Sequence, residues 1–151
     1  MNVTYSKNKK AYHDYEMIQS YEAGMVLNSA QVKSIRASTV NLLGSYASVD
    51  DGKIVLKQAH ISKPDNVHHV KNFDEHAHIF LKISKKELRE IHKAVKEKNT
   101  TLIVSEIYQR ENTKFIKCKL NIARGKRDYD KREALKRKSQ EMDAKRELKD
   151  Y

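Results

Sequence analysis

The sequence predicts a mainly β fold: a small, closed antiparallel barrel of about six short strands with peripheral helices. Short runs of β-branched and aromatic residues recur along residues 11–123. An Asp-Gly pair separates two of these runs, and only two segments show clear helical spacing. A closed barrel suits this pattern because closure pairs the strand edges that a small open sheet would expose.

The first strands and the first helix are predicted in the first quarter of the chain. Residues 11–27 are rich in aromatic and β-branched residues, which predicts two short strands or one bulged strand with a bend at Gly24. Residues 28–39 begin with Asn28 and Gln31 in the spacing of a capping box. A short helix is therefore expected there.

A β-hairpin is predicted over residues 46–61. Asp51 and Gly52 stand between two apolar runs, and glycine accepts the positive φ that a two-residue hairpin turn requires. Residues 62–76 contain the single proline of the chain and show no clear period, so they are predicted to form a loop.

The second helix is predicted over residues 84–99, where Ser84 and Glu87 have capping-box spacing. Apolar residues follow at helical intervals: Leu88, Ile91 and Val95. Residues 101–123 then predict two strands around a "QREN" turn.

The charge of the chain points to an anionic partner. Its 31 Lys and Arg against 20 Asp and Glu give a net charge of +11 over 151 residues. Residues 126–151 hold ten basic and seven acidic side chains, so they carry +3 and the rest of the chain carries +8. Nucleic acid is the leading partner class because its phosphates attract such a field.

Residues 126–151 are predicted to be a basic tail, separate from a domain of residues 1–125. Charged side chains make up 17 of these 26 residues, and the few apolar ones form no stripe that would pack on the domain. Several acidic residues are followed four positions later by a basic residue, a spacing that is compatible with a helix. An isolated helix of this kind is only marginally stable in water. The tail is therefore expected to be disordered when free and to order on a partner. A plain solvated terminus is the alternative, and regularly spaced basic pairs favour phosphate contacts over it.

The compartment is predicted to be the cytoplasm. A single cysteine, Cys118, excludes an intramolecular disulfide and suits a reducing environment. The first residues lack the apolar core of a signal peptide, and no window approaches the length of a membrane span. The expected state is a soluble monomer without a cofactor.

Two enzymatic interpretations receive little support from the sequence. Four histidines cluster within eleven residues, but no HExxH motif, paired acidic ligands or partner cysteine accompanies them: His68, His69, His76 and His78. Cys118 lies in the alternating stretch "KFIKCKL" and is expected to pack inward as a small apolar group. The chain is predicted not to be an enzyme.

Several segments resemble the small protein B family, also called the SsrA-binding proteins. They are "NKKAYHDY" (8–15), "YEAGMVL" (21–27), "VKSIRAS" (32–38) and "ARGKRDYDKREALK" (123–136). The resemblance covers nearly the whole chain. It implies an oligonucleotide-binding-fold barrel that binds the tRNA-like domain of transfer-messenger RNA and delivers that RNA to ribosomes stalled on messages without a stop codon. It also implies that the tail enters the empty mRNA channel and becomes helical there.

On this resemblance, Glu22 is the RNA-contacting glutamate, whose carboxylate accepts hydrogen bonds from base amino groups or a ribose hydroxyl. His13 and Tyr15 are candidates for contact with unpaired nucleotides, although tyrosines in a strand also serve as packing residues. Lys33 and Arg36 lie opposite the apolar face of the first helix and are candidate phosphate contacts. Each of these residues is otherwise an ordinary surface or packing side chain.

The C-terminal segment carries the most specific part of the resemblance. Arg124, Lys126 and Arg127 match the family's basic linker. Tyr129, Asp130, Lys131 and Arg132 match its decoding-site motif. The basic group that follows them in the regular spacing is a further candidate for phosphate contacts on the ribosome: Lys136, Arg137 and Lys138.

The segment "AHIFLKIS" (77–84) departs from the family pattern. Relatives carry a basic strand of the type "RTRKLLL" here, followed by Asn or His, and this chain lacks two of the expected arginines. Lys82 and Ser84 stand where the family places RNA-contacting residues, so they are carried over as weaker candidates. His76 and His78 lie nearby, but a neutral histidine does not supply the positive charge and the paired N–H donors of an arginine guanidinium.

A second binding function remains open from the sequence. A different ribosome-associated protein, with a basic barrel that binds ribosomal RNA or single-stranded RNA, would have the same composition. The RNA that co-purifies with the protein distinguishes the two functions.

Overall fold

The computed structural model describes residues 2–64 and 73–126, which contain nine strands and three helices. The first part holds β1 (Val3–Lys7), α1 (Lys9–Asp14), β2 (Tyr15–Met25), α2 (Ser29–Arg36), β3 (Val40–Asn41), β4 (Tyr46–Asp50), β5 (Lys53–Lys57) and β6 (His60–Ile61). The second part holds β7 (Ile79–Lys82), α3 (Lys85–Ala94), β8 (Thr100–Gln109) and β9 (Ile116–Gly125). The prediction of a mainly β fold is confirmed.

Six strands pair in a ring. β8, β4, β5, β7, β2 and β9 are neighbours in that order, and β9 pairs back to β8. All of these pairings are antiparallel. β1 pairs with the second half of β8, while β3 and β6 form a separate two-stranded sheet. Within the ring, β2 and β4 lie three strands apart in either direction, so they occupy opposite sides.

Alternate residues of the ring strands form the main core. Side chains from every ring strand are buried in one cluster, which also receives Ile35 of α2 and Ile91 of α3. Cys118 of β9 is fully buried in this cluster, as the alternation of its strand predicted. Burial raises the pKa of its thiol to about 12, because the thiolate would lose its hydration.

The two predicted helices are confirmed, together with their caps. Asn28 accepts a hydrogen bond from the Gln31 backbone N–H at 2.8 Å, and the Gln31 side chain accepts one from the Asn28 N–H at 3.0 Å. Ser84 likewise accepts from the Glu87 N–H at 3.2 Å. The second predicted helix ends at Ala94 rather than 99, and Asn99 takes a positive φ of 65° where the chain turns into β8.

The strand predicted from residue 11 was wrong over its first four residues, which belong to α1. Asn8 accepts a hydrogen bond from the Ala11 N–H at 3.1 Å and donates its amide to the Leu42 carbonyl at 3.1 Å. This cap and the packing of Ala11 outweigh the strand propensity of the neighbouring tyrosines. The bulged strand is confirmed for β2, but its register shifts between Met17 and Gln19 instead of bending at Gly24.

The predicted hairpin is β4 and β5, with Asp51 and Gly52 at φ values of 49° and 74° in its turn. The remainder of that segment, β6, leaves the hairpin to pair with β3. The edges of the 62–76 loop are outside helix and strand, and residues 65–72 lie outside the described part. Two short strands were not predicted, β1 and β3, and β7 was expected only through the family resemblance of residues 77–84. Within the described residues, no helix is long and apolar enough to cross a membrane.

Candidate nucleic-acid interface

Outward side chains of four neighbouring ring strands, β7, β2, β9 and β8, share one surface. Strand register places them in two rows, since β2 pairs with both β7 and β9, and β9 pairs with β8. We call this surface the open face; its first row is Lys82, Gly24, Lys117 and Tyr108, and its second row is Glu22, Lys119 and Glu106.

Glu22 lies at the centre of the hydrogen bonds on the open face. The Tyr108 hydroxyl donates to its Oε2 at 2.7 Å, and the Arg110 guanidinium donates to the same oxygen. The Tyr108 bond has the largest effect and lowers the pKa of Glu22; burial opposes it, and the Arg110 bond and charge lower the pKa further, so it lies below its usual value. Glu22 is therefore ionised at neutral pH.

The same contacts act on the partners of Glu22. Burial, followed by the hydrogen bond to the Glu22 carboxylate, raises the pKa of Tyr108, and the bond to Glu22 raises the pKa of Arg110. Tyr108 therefore remains a neutral hydroxyl donor and Arg110 a cation. The Arg110 guanidinium also lies 6.0 Å from the centre of the Tyr108 ring.

A strip without side-chain bulk runs beside Glu22. Gly24 is flanked on the neighbouring strands by Lys82 and Lys117. A Cβ added to Gly24 would stand 3.8 Å from the Lys82 Cβ and 3.9 Å from the Lys117 ammonium. The absent side chain therefore keeps backbone accessible between two lysines, a geometry that lets a phosphate-sugar chain approach closely.

A cleft of about 410 Å³ lies on the far side of Glu22 from that strip. Glu22, Tyr108, Arg110 and Lys119 contribute to its lining, and the Lys119 ammonium lies 3.9 Å from the Glu106 carboxylate. The open face and Arg110 together carry four cations (Lys82, Lys117, Lys119, Arg110) against two carboxylates, a net charge of +2. This combination of cations, a carboxylate acceptor and hydroxyl donors suits phosphate and base-edge contacts together.

His13 and Tyr15 do not lie on the open face. His13 is exposed in the last turn of α1, at the opposite end of β2 from Gly24. Tyr15 is partly buried against the small cluster of Ala11, Ile103 and Ala123. Tyr15 thus has a packing role in this structure, and the two residues are separated from Glu22 along the strand.

Tyr21 illustrates the packing role that strand tyrosines were also expected to have. It is buried in the main core, and its hydroxyl donates to Glu90 of α3 at 3.1 Å. Burial, followed by this bond, raises its pKa to about 12. Tyr21 therefore fixes β2 against α3, while its neighbour Glu22 points to the opposite side of the sheet.

Lys33 and Arg36 are exposed on α2, opposite the buried Ile35 as predicted. The Arg36 guanidinium donates to the Lys114 carbonyl at 3.1 Å, which connects α2 to the turn between β8 and β9. These two basic residues lie off the open face.

Lys82 and Ser84 differ in role despite their closeness in sequence. Lys82 is exposed in the first row of the open face. Ser84 caps α3, since it accepts from the Glu87 N–H and donates to the Glu87 carboxylate at 2.8 Å. The structure thus gives Ser84 a local function in starting the helix.

The predicted basic linker begins on the domain itself. Arg124 is exposed on β9, between Glu16 and Thr100 of the neighbouring strands. Lys126 donates its backbone N–H to the Asp14 carbonyl at 2.9 Å and its ammonium to the Tyr12 carbonyl at 3.3 Å. Lys126 thereby satisfies carbonyls at the end of α1. Arg127 and all the tail candidates, Tyr129, Asp130, Lys131, Arg132, Lys136, Arg137 and Lys138, lie outside the described residues.

The sequence interpretation missed the partners of Glu22. Tyr108 and Arg110 lie in the segment taken as a strand and its turn, and nothing local marks them as site residues. The alternation of "KFIKCKL" could have placed Lys117 and Lys119 on one surface. Their closeness to Glu22 depends on the pairing of β9 with both β2 and β8, which a single sequence does not give.

The histidine cluster forms no metal site within the described part of the chain, where no group of three or more ligand-type side chains could hold an ion. His60, rather than a predicted cluster member, binds Glu75 at 2.9 Å. His76 packs its ring on His60 with centroids 4.9 Å apart. Two members of the predicted cluster, His68 and His69, lie outside the described residues.

Comparisons with known proteins give a consistent result. A family model described as "SmpB protein" matches residues 5–150. The chain is 36% identical to the SsrA-binding protein of Streptococcus mutans and 39% identical to that of Lactococcus lactis subsp. cremoris, each over 146 residues that cover 97% of this chain and 92% of the relative. A solved structure described as "tmRNA-SmpB: a journey to the center of the bacterial ribosome" matches with a TM-score of 0.67 and 36% identity, covering 86% of this chain and 93% of that chain.

Proposed function

This chain belongs to the SmpB family, and from that premise we propose that it binds the tRNA-like domain of transfer-messenger RNA and delivers this RNA to stalled ribosomes. The protein acts by binding, without catalysis and without a cofactor. Its partners are transfer-messenger RNA and the small ribosomal subunit. We further propose that the ring of strands is an oligonucleotide-binding-fold barrel, and that the protein works in the cytoplasm as a monomer until it binds RNA.

The observation that carries this proposal is the ionised Glu22 within a lysine-bearing surface. A carboxylate repels phosphate, so a surface built only for non-specific attraction would gain nothing from it. Tyr108 and Arg110 both donate to Oε2 of Glu22. Those two bonds do not use Oε1, which can therefore accept a hydrogen bond from a base amino group or a ribose hydroxyl. In this proposal the lysines supply binding affinity through phosphate contacts, and Glu22 makes the surface selective for a particular RNA.

Gel shifts with two RNAs test the role of Glu22. We expect Glu22→Ala to weaken binding of the tRNA-like domain by roughly tenfold, the cost of one charge-assisted hydrogen bond. Binding of an unrelated duplex of equal length should stay the same or become slightly tighter, because a negative charge is removed. Equal losses for both RNAs would contradict selection by Glu22.

His13, Lys33 and Arg36 are exposed off the open face, so we assign them to a second set of RNA or ribosome contacts, while Tyr15 keeps its packing role under α1. Arg124 and Lys126 lie together at the point where the tail begins. Alanine variants of these basic residues should weaken binding of duplex RNA and tRNA-like RNA to the same extent, because a phosphate contact does not depend on the base sequence. Ser84→Ala should act through α3 stability instead, since its hydroxyl caps that helix.

We propose that the tail senses the empty mRNA channel of the ribosome and is helical there. Forming a helix in the tail costs backbone entropy, and the ion pairs between acidic residues and basic residues four positions later are too weak to offset this cost. Contacts with ribosomal RNA must therefore supply the remaining stabilising free energy. An occupied channel leaves no room for this ordering. Tyr129, Asp130, Lys131 and Arg132 are the proposed decoding-centre contacts, followed by phosphate contacts from Lys136, Arg137 and Lys138.

A truncation after Lys126 tests the tail separately from RNA binding. It keeps the anchor of Lys126 on α1 and removes only a small part of the net charge, so transfer-messenger RNA should still shift in a gel. Tagging of nascent chains on ribosomes with truncated messages should fail. The triple alanine variant of Asp130, Lys131 and Arg132 repeats this test in a chain of full length, and it should also bind transfer-messenger RNA but fail to tag. Normal tagging by both variants would refute the tail as sensor.

Sequencing of RNA recovered from gently purified protein separates the proposed function from its alternative. One abundant RNA with a tRNA-like domain supports transfer-messenger RNA as the partner. Recovery of ribosomal RNA alone would instead favour a general ribosome-associated protein that recognises ribosomal or single-stranded RNA.

A further inference from the structure

An apolar cleft adjoins the open face at the end of its first row. The cleft measures about 430 Å³ and lies between β7, the β4–β5 turn and α3. Val26, Ile54, Phe80 and Leu88 are among its lining residues, and we call it the Phe80 cleft. Phe80 and Val26 are 47% and 46% exposed, so two large apolar side chains face solvent here.

The Phe80 cleft is continuous with the open face. The Val26 N–H donates to the Phe80 carbonyl at 3.0 Å, two residues along each strand from the pairing of Gly24 with Lys82. Phe80 and Lys82 alternate with the buried Leu81 on β7 and therefore point to the same side. An RNA chain lying along the Gly24 strip would pass directly beside this cleft.

The charges around the cleft select an anionic occupant. Two of its described lining residues are lysines, Lys53 and Lys82, and none is acidic. The Lys53 ammonium lies 5.6 Å from the centre of the Phe80 ring. One face of the Phe80 ring therefore lies beside a cation, while 47% of the side chain remains exposed for contact with a planar group.

We propose that the Phe80 cleft holds one unpaired base of the bound RNA, stacked on the Phe80 ring, with Lys53 and Lys82 on the flanking phosphates. This inference rests on the proposed function and adds a base contact to it. Stacking tolerates any base because each has a flat π surface, and aromatic rings beside lysines are a general solution for single-stranded segments. It also gives β7 an RNA contact that does not need the two arginines absent from residues 77–84.

The absence of tryptophan from the sequence makes a direct test possible. In Phe80→Trp the new indole is the single tryptophan, so its fluorescence reports on this cleft alone. We expect saturation with the tRNA-like domain to quench the indole and to protect it from acrylamide, because a stacked base covers its face. Tyr46→Trp is the matched control, since Tyr46 is exposed on β4, on the opposite side of the ring from β2.

Affinity measurements complete the test. Phe80→Ala should weaken binding of the tRNA-like domain by roughly tenfold, as loss of one stacked base does, whereas Phe80→Trp should bind at least as tightly as the unmodified protein. RNA that binds Phe80→Trp without quenching or protecting its indole would overturn the base site while leaving the proposed function intact. Failure of the unmodified protein to bind this RNA would instead refute the function. Circular dichroism of each variant checks that the fold is kept.

Discussion

The outer surface of β8 and β9 is divided into two halves with opposite properties. One half is the open face, where Tyr108, Lys117 and Lys119 meet solvent beside Glu22. The other half is covered by α1, and Ile103 and Ala123 are buried there under Ala11. The same two strands thus carry a polar surface where no described element covers them and an apolar surface where α1 does.

Hydrogen bonds between neutral groups mark the boundary of the covered half. Asn121 is fully buried; its amide donates to the Ser105 hydroxyl at 2.8 Å and the Ile103 carbonyl at 3.1 Å, and its oxygen accepts from the Ser20 hydroxyl at 2.6 Å. Tyr12 of α1 donates to the same Ser105 hydroxyl at 3.1 Å. The covered half therefore depends on buried partners, whereas the open face depends on charge. Mutations in the covered half should change stability, and mutations in the open face should change RNA binding.

The largest expected effect is on the covered half. Asn121→Ala should lower the free energy of unfolding by about 2–3 kcal/mol, because it removes several buried hydrogen bonds and leaves their partners unsatisfied. Urea denaturation measures this change. RNA affinity of the folded fraction should remain unchanged.

Ser20→Ala is the control for that experiment, since it removes a single bond from the exposed end of the same network. It should cost about 1 kcal/mol or less. If Asn121→Ala were as mild as Ser20→Ala, the buried network would not be what holds this half together.

The open face is tested at Gly24. Gly24→Val should weaken binding of the tRNA-like domain by roughly three- to tenfold, because its methyl groups fill the strip between Lys82 and Lys117. Stability should be unchanged or slightly higher, since valine suits a strand and the added Cβ has only ordinary contacts. Fluorescence anisotropy and urea denaturation give the two readouts. A stability loss without an RNA effect would reverse the assignment of this surface.

A third variant measures how strongly the covered half holds the start of the tail. Lys126→Ala removes the ammonium bond to the Tyr12 carbonyl but keeps the backbone bond to Asp14. We expect a loss of about 0.5–1 kcal/mol in the free energy of unfolding. Arg124→Ala is the control, because Arg124 is exposed and should have no measurable effect on stability.

The sequence predicted elements whose signals are local and missed those that depend on distant partners. The caps at Asn28 and Ser84 and the turn at Asp51 need only neighbouring residues, and each is present. Helix α1 was missed because its stability comes from Asn8, which bonds to Leu42, and from packing on β8 and β9. Short pairings such as β3 with β6 leave too few residues for a recognisable period.

The candidate site divides in the same way. Glu22 was identified through a local family motif, while its partners are more than eighty residues away in the sequence: Tyr108 on β8 and Arg110 directly after it. Only the register of three strands brings these groups together. A sequence read without that register therefore gives the central residue of the open face but not the geometry around it.

The smallest expected effect is the pH dependence of the open face, measured as the difference in stability between the unmodified protein and Glu22→Gln. The pKa of Glu22 is lower in the folded protein than its usual value of 4.5, chiefly through the Tyr108 bond and then through Arg110. A lowered carboxylate pKa stabilises the fold above the unfolded value, and this contribution disappears as the pH falls through the folded pKa. The difference between the two proteins should therefore be constant from pH 7 to about pH 5 and shrink at more acid pH. It should also be small and sensitive to salt, because a third of the Glu22 side chain is exposed and solvent screens the ion pair with Arg110.

The Asn121→Ala difference is the control for this pH dependence. It should not follow the same curve, since the amide and hydroxyl groups bonded to Asn121 are neutral throughout that pH range. If the Glu22→Gln difference stayed the same down to pH 3, the carboxylate charge would have no part in holding Tyr108 and Arg110.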